Sequence, residues 1–277
     1  MSTLRNKMIQ QMQLKGYSNR TIDTYINCII SLSKYYKTSP DLLTVEQLRE
    51  YFQFYLRERN FSKSWMNQTI SALKIFFCAV LRREWNSLDI PRPRREKKLP
   101  VILSKEEISK LIRVTRNMKH RAVLSLTYSS GLRLSEVCGL KVGDIDSKRM
   151  LVRVVQAKGF KDRYTILSPV ALDLLRLYWK MYSPVVWLFE SRNHQPVPAR
   201  TVQQVFKNAL RKAGINKQVG IHSLRHSFAT HLLEQGVSLP IIQQLLGHRS
   251  LRTTSIYLHV QQYSIYAVKS PLDSLSL

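Results

Sequence analysis

The segment "MLVRVVQAKGFKDRYTILS", residues 150–168, is unlike anything else in the chain. Residues 150–156 are mainly apolar and β-branched, residues 157–162 form a basic stretch containing Gly159, and residues 164–167 return to largely β-branched and aromatic types. Side chains of this kind fit a pleated surface, and a glycine-bearing turn between two such runs predicts a β-hairpin with Lys158 in its turn. Because the surrounding chain reads as helix, this hairpin sets the expected class: mainly α with a small β-sheet.

On the C-terminal side of the hairpin, helical patterns cover residues 170–181, residues 200–213 up to Gly214, and residues 222–235 up to Gly236, with two short ones near 241–246 and 251–259. On its N-terminal side, Ser104 and Glu107 make a capping box for a helix expected to run through Thr127, break at Gly131 and resume near Ser135. Before that lies "IPRPRREKKLP", residues 90–100, whose prolines forbid regular helix and whose basic residues face a single Glu96. It reads as a linker, either solvated or laid along phosphates. Residues 1–88 read as four short helices. The first ends at Gly16. Ser18 caps the second, which places Ile22, Tyr25, Ile26, Ile29 and Leu32 at helical spacing. Thr44 and Gln47 box the third, with Val45, Leu48, Phe52 and Tyr55 on one side. Ser62 or Ser64 opens the fourth, through Ile70, Leu73, Phe77 and Leu81. The expected division is an N-terminal helical bundle over 1–88, a basic linker over 89–102 and a second domain over 103–277.

At 277 residues and 44% hydrophobic content the chain can build two ordinary cores. Its 44 Lys+Arg against 18 Asp+Glu leave a net charge of +26, which repels itself in a folded molecule and is offset when a polyanion releases its counterions on binding. The charge is spread along the chain and not gathered on one amphipathic helix or tail, which favours nucleic acid over an anionic membrane surface. No apolar run approaches the roughly 18 residues of a membrane helix, and the first residues lack the apolar core of a signal peptide. A cytoplasmic protein is expected. Cys28, Cys78 and Cys138 are scattered and unpaired in motif, so neither a disulfide framework nor a structural zinc site is expected.

Three further segments carry polar chemistry. In "HSLRHSFATHLL", His222 and Arg225 fall on one face near a helix N-terminus, where free amides favour an anion. His222, His226 and His231 cluster there without an HExxH pattern or an assigned third ligand, and no metal is expected. In "SSGLRLSEVCGLKVGDI", Arg133 follows a glycine break and precedes a helix, a junction that either aims a guanidinium fork at phosphate or pairs Arg133 with Glu136 or Asp144. In "LLGHRSLRTTSIYLHV", residues 245–260, Tyr257 stands nine residues after His248.

The ordered set Arg133, Lys158, His222, Arg225, His248 and Tyr257 resembles the active site of the tyrosine recombinases, the phage-integrase and Xer-type family, through "GLRLSE", "AKGFKDR", "HSLRHSFATHLL", "LLGHRS" and the tyrosine spacing. Ala157 stands where a glycine commonly precedes the lysine; Lys158 is favoured as the functional lysine, with Lys161 the alternative. The resemblance implies an N-terminal core-binding domain and a C-terminal catalytic domain around duplex DNA. It also implies cutting and rejoining through a 3′-phosphotyrosyl link, without metal, ATP or other cofactor. Arg133 and Arg225 would hold the nonbridging oxygens, His222 would serve as base, His248 would hydrogen-bond the phosphate, and Lys158 would protonate the departing 5′ oxygen. Glu136 and Asp144 would support Arg133 and its helix, while His226 and His231 would be structural. Family tails that pack into a neighbouring protomer imply a homotetramer on two DNA recombination sites, with exchange of the C-terminal tail. Two other expectations remain open on the sequence: a type IB topoisomerase-like nicking-closing enzyme, and a DNA-binding regulator without cleavage.

Overall fold

The computed structural model describes residues 2–57, 62–84, 92–93, 99–157 and 161–258, and the chain divides into two compact units, Met1–Lys97 and Lys98–Leu277. The first is helical: α1 (Ser2–Leu14), α2 (Asn19–Tyr36), α3 (Val45–Arg57) and α4 (Lys63–Lys74). Ser18 accepts from the Thr21 amide at the start of α2, and Ser62 from the Trp65 amide at the start of α4. Thr44 and Gln47 close a reciprocal box at α3, with bonds of 3.2 and 2.9 Å that satisfy otherwise orphaned amides. Met12, Leu32, Leu48, Tyr51, Ile70 and Leu73 form the middle of its core. The fourth helix departs from the sequence expectation: α geometry stops at Lys74, and Ile75–Val80 continues as a π-helix. Ile75, Phe76 and Phe77, three consecutive bulky residues within it, are all buried.

The second unit contains α5 (Lys105–Val114), α6 (Met118–Ser129), α7 (Leu134–Cys138), β1 (Ile145–Asp146), β2 (Leu151–Ala157), β3 (Lys161–Ile166), α8 (Pro169–Tyr182), α9 (Ala199–Lys212), α10 (His222–Glu234), α11 (Leu239–Leu246) and α12 (Leu251–Thr254). The single helix expected from Ser104 through Thr127 is two. Thr115 is extended, and Asn117 starts α6 by accepting from the His120 amide at 3.0 Å. The hairpin is joined by a third, two-residue strand, giving an antiparallel sheet in the order β1-β2-β3, with Ile145 opposite Val152 and Val154 opposite Arg163. Asp146 accepts from the amides of Lys148 and Arg149 in the intervening turn, and so short a strand carries no readable periodicity.

The main core of this unit runs through Leu111, Leu124, Leu126, Val137, Val152 and Phe189. A smaller cluster, Phe228, Ala229, Leu233, Ile242, Leu246 and Tyr257, lies on α10, α11 and the last turn. Helix α10 is buried on nearly every side, polar residues included, and therefore lacks a clean amphipathic stripe. Its neighbour Gly131 adopts φ +59°, where a Cβ would come within 2.4 Å of the Phe228 ring. Among the described residues, no helix is long and apolar enough to cross a membrane.

Candidate active site

After the turn at Gly131, Arg133 becomes the N-cap of α7. Its amide donates to Glu136 Oε2 at 2.7 Å and its Nη1 to Glu136 Oε1 at 2.7 Å, so the carboxylate folds back over the helix start. From β3, Arg163 meets the same carboxylate as a fork, Nη1 and Nη2 each at 2.8 Å. Burial pushes the Glu136 carboxyl upward, but the hydrogen bonds and charge of Arg163, the Arg133 amide and the charge of Arg225 outweigh it and hold the group down at about 2. Asp144 does not join this group. It accepts from the Lys141 amide at 2.8 Å, so its expected support of Arg133 is replaced by a local cap.

Arg225 projects from α10 with a nearly buried side chain. Its Nη1 donates to Gly131 O and its Nη2 to Leu246 O, both at 2.6 Å, while Glu136 Oε2 lies 3.6 Å away. Desolvation and then the charge of Arg133 lower its guanidinium to about 9, still protonated at neutral pH. Three guanidiniums thus share one carboxylate, and the excess positive charge suits an anion with several oxygens.

The carbonyls ending α11 are divided among the same three residues. Leu245 O accepts from Arg163 Nε at 2.9 Å, Leu246 O from Arg225, and Gly247 O from Arg133 Nη2 at a long 3.5 Å. These are orphan acceptors at the negative end of a helix dipole, where cations are stabilised. Gly247 turns the chain with φ +63°, which leads directly into His248.

His248 Nδ1 lies 3.0 Å from Thr254 Oγ1, leaving Nε2 as the ring atom for another partner. Burial, followed by the charges of Arg225 and Arg133, lowers its imidazole to about 4. His222, the first residue of α10, is exposed. It borders a cavity of about 330 Å³ that Arg200, Gln203, Gln204 and Lys207 also line. Desolvation and then the charges of Arg225 and Arg133 lower its pKa.

Ser250 caps α12, its side chain accepting from the Arg252 amide, and Tyr257 follows in a 3-10 turn, Ser255–Tyr257. The Tyr257 side chain is 1% exposed within the smaller core, and its hydroxyl lies 3.1 Å from His226 Nδ1. Burial raises the phenol pKa, while the charges of Arg225 and Arg133 act in the opposite sense. His226 thus touches the hydroxyl of the candidate nucleophile in the resting arrangement, a contact compatible with the structural role expected of it. His231 does pair structurally, Nδ1 to Tyr128 Oη at 2.9 Å. Arg163 is the site residue that the sequence reading missed.

Arg133, Arg225, His248 and Tyr257 are thus gathered around α10 and the end of α11, with His222 at the rim. Lys158 lies outside the described residues, as does the tail assigned to exchange between protomers; the side chain of Lys161 is not described. Among the described residues, no three His, Cys, Asp or Glu side chains converge as metal ligands would.

Residues 102–263 match the Phage integrase family, and residues 4–87 match its N-terminal SAM-like domain. A putative integrase/recombinase of Sinorhizobium fredii is 40% identical over 99% of this chain and 90% of its own length. Tyrosine recombinase XerA of Pyrococcus horikoshii is 34% identical over 94% and 90%. In fold the chain is similar to lambda integrase(75-356), solved as a dimer bound to a COC′ core site, with a TM-score of 0.76, 20% identity and 98% of each chain covered.

Proposed function

The chain belongs to the phage integrase family, the tyrosine recombinases that act in site-specific DNA recombination, and from that premise we propose how its own residues cut and rejoin DNA. Arg133 and Arg225 hold the nonbridging oxygens of the scissile phosphate, where charge grows in the transition state. The Tyr257 oxygen attacks phosphorus; a Tyr257–phosphorus bond forms and the bond to the 5′ oxygen breaks. His222 takes the phenolic proton, His248 donates to a phosphate oxygen, and Lys158 protonates the departing 5′ oxygen. Rejoining reverses the step with a 5′ hydroxyl from a second duplex, so the phosphoryl bond is conserved and neither ATP nor a metal is needed.

The observation that carries this reading is the grouping of Arg133 and Arg225 about Glu136 and the end of α11, beside the helix α10 on which the Tyr257 hydroxyl rests. The cationic cavity beside His222 lies next to the proposed phosphate position and suits the DNA backbone. At 1% exposure the phenol has no open path to a phosphate, so the short α12 segment shifts and the bond to His226 breaks before attack. The units 1–97 and 98–277 are assigned core-binding and catalytic roles, joined by the basic segment near residue 97. By likeness to lambda integrase on its core site, several copies act together on DNA. We assign a homotetramer across two recombination sites, in the cytoplasm.

The test is a library of nicked duplexes incubated with the protein, followed by isolation and sequencing of covalently bound DNA. One target sequence linked through its 3′ phosphate to Tyr257 is expected. Undiminished adduct from Tyr257→Phe, or none from the unaltered chain, sinks the reading.

A further inference from the structure

Strand alternation puts Asp162, Tyr164 and Ile166 of β3 at the surface and turns Arg163 and Thr165 inward. An inward arginine is costly unless its charge is paired and its donors are used. The Arg163 side chain is 7% exposed, and its Nη1, Nη2 and Nε all bond within the protein, two to Glu136 and one to Leu245 O. Room for it is made by Gly247: a Cβ there would stand 2.6 Å from Arg163 Cδ.

Arg163 therefore spans the two anchors from which the candidate phosphate-holding arginines hang. Arg133 uses Glu136 and Gly247 O; Arg225 uses Leu246 O and lies beside Glu136. Arg133, with its long contact and a side chain 22% exposed, keeps donors for an outside anion. Arg163 is the clamp that fixes the spacing between the carboxylate and the end of α11, and it does so from the strand that follows Lys158 in the chain.

We propose that Arg163 is a positioning residue for strand cleavage: by locking Glu136 to the last carbonyls of α11, it holds Arg133 and Arg225 aligned on the scissile phosphate. The proposal rests on the function given above. Its test uses the nicked duplex recovered from the library, with site affinity and the single-turnover rate of adduct formation measured separately. The variants are Arg163→Met, Arg133→Lys and the double variant. R163M is expected to bind within about threefold of the unaltered chain yet form adduct about 100-fold more slowly, the scale on which one misplaced transition-state donor acts. In the Arg133→Lys background the same change should cost less than about tenfold, because coupled residues are not additive.

Arg163→Lys keeps the charge without the fork and should recover only part of the rate. Should R163M fail to fold, as read from its thermal melt, R163K enters the same cycle in its place. No slowing, or a loss that multiplies fully in the Arg133→Lys background, overturns the proposal. Absence of adduct from the unaltered chain would instead refute the underlying function, a distinct result.

Discussion

Glu136 is the residue on which the site's electrostatics turn, since one carboxylate offsets charge from Arg133, Arg163 and Arg225. Glu136→Gln leaves the buried Arg163 without its ion pair, and a loss of about 3 kcal/mol or more in urea unfolding is expected. Tyr257 separates packing from chemistry. Tyr257→Phe removes one hydrogen bond and should cost about 1 kcal/mol, whereas Tyr257→Ala also empties a buried site and should cost about 3 kcal/mol or more. Both should abolish covalent adduct. Arg163 escaped the sequence reading because its partner Glu136 lies 27 positions away, beyond the reach of any local rule. The convergence of Arg133, Arg225, His248 and Tyr257 was legible only through family resemblance; spacing alone left Arg133 with either Glu136 or Asp144.

Among the elements, what was readable was what short-range chemistry decides. Ser18, Thr44 and Ser104 announce helix starts because their oxygens serve amides three residues on. The hairpin shows as β-branched runs around a basic turn. The break at Thr115 was hidden because apolar spacing continues across it and only Asn117 marks the new start. The π-turn after Lys74 coincides with three consecutive buried residues, and their burial is a tertiary fact that no local pattern announces. Two glycines make element-level predictions. At Gly247 and Gly131 the backbone is left-handed and an added Cβ would meet the Arg163 side chain or the Phe228 ring. Gly247→Ala and Gly131→Ala should each lower unfolding stability by about 1–3 kcal/mol, with Gly247→Ala also slowing adduct formation by displacing Arg163.

At the scale of the whole molecule, a net charge of +26 implies DNA affinity that weakens steeply with salt, by about 100-fold or more between about 50 and 200 mM, as a titration would show. Stability should respond to acid in two stages. His226 and His248 are held at about 4, below the ordinary 6.5, so the folded chain binds fewer protons than the unfolded one between those values and loses stability as pH falls through that window. Glu136, held at about 2 against 4.5, contributes fully above 4.5, and its contribution is lost as pH drops toward 2. Calorimetry should show the melting temperature declining from pH 6.5 to 4, less steeply in His226→Asn. The smaller core has a further bearing on conduct in a cell. Withdrawing the Tyr257 ring from among Phe228, Leu233 and Leu246 opens a hole costing about 3 kcal/mol, so unaided exposure would be rarer than about one molecule in a hundred. A DNA site whose contacts supply that deficit is expected to draw the phenol out, and DNA that cannot supply it should leave the ring packed and the strands uncut.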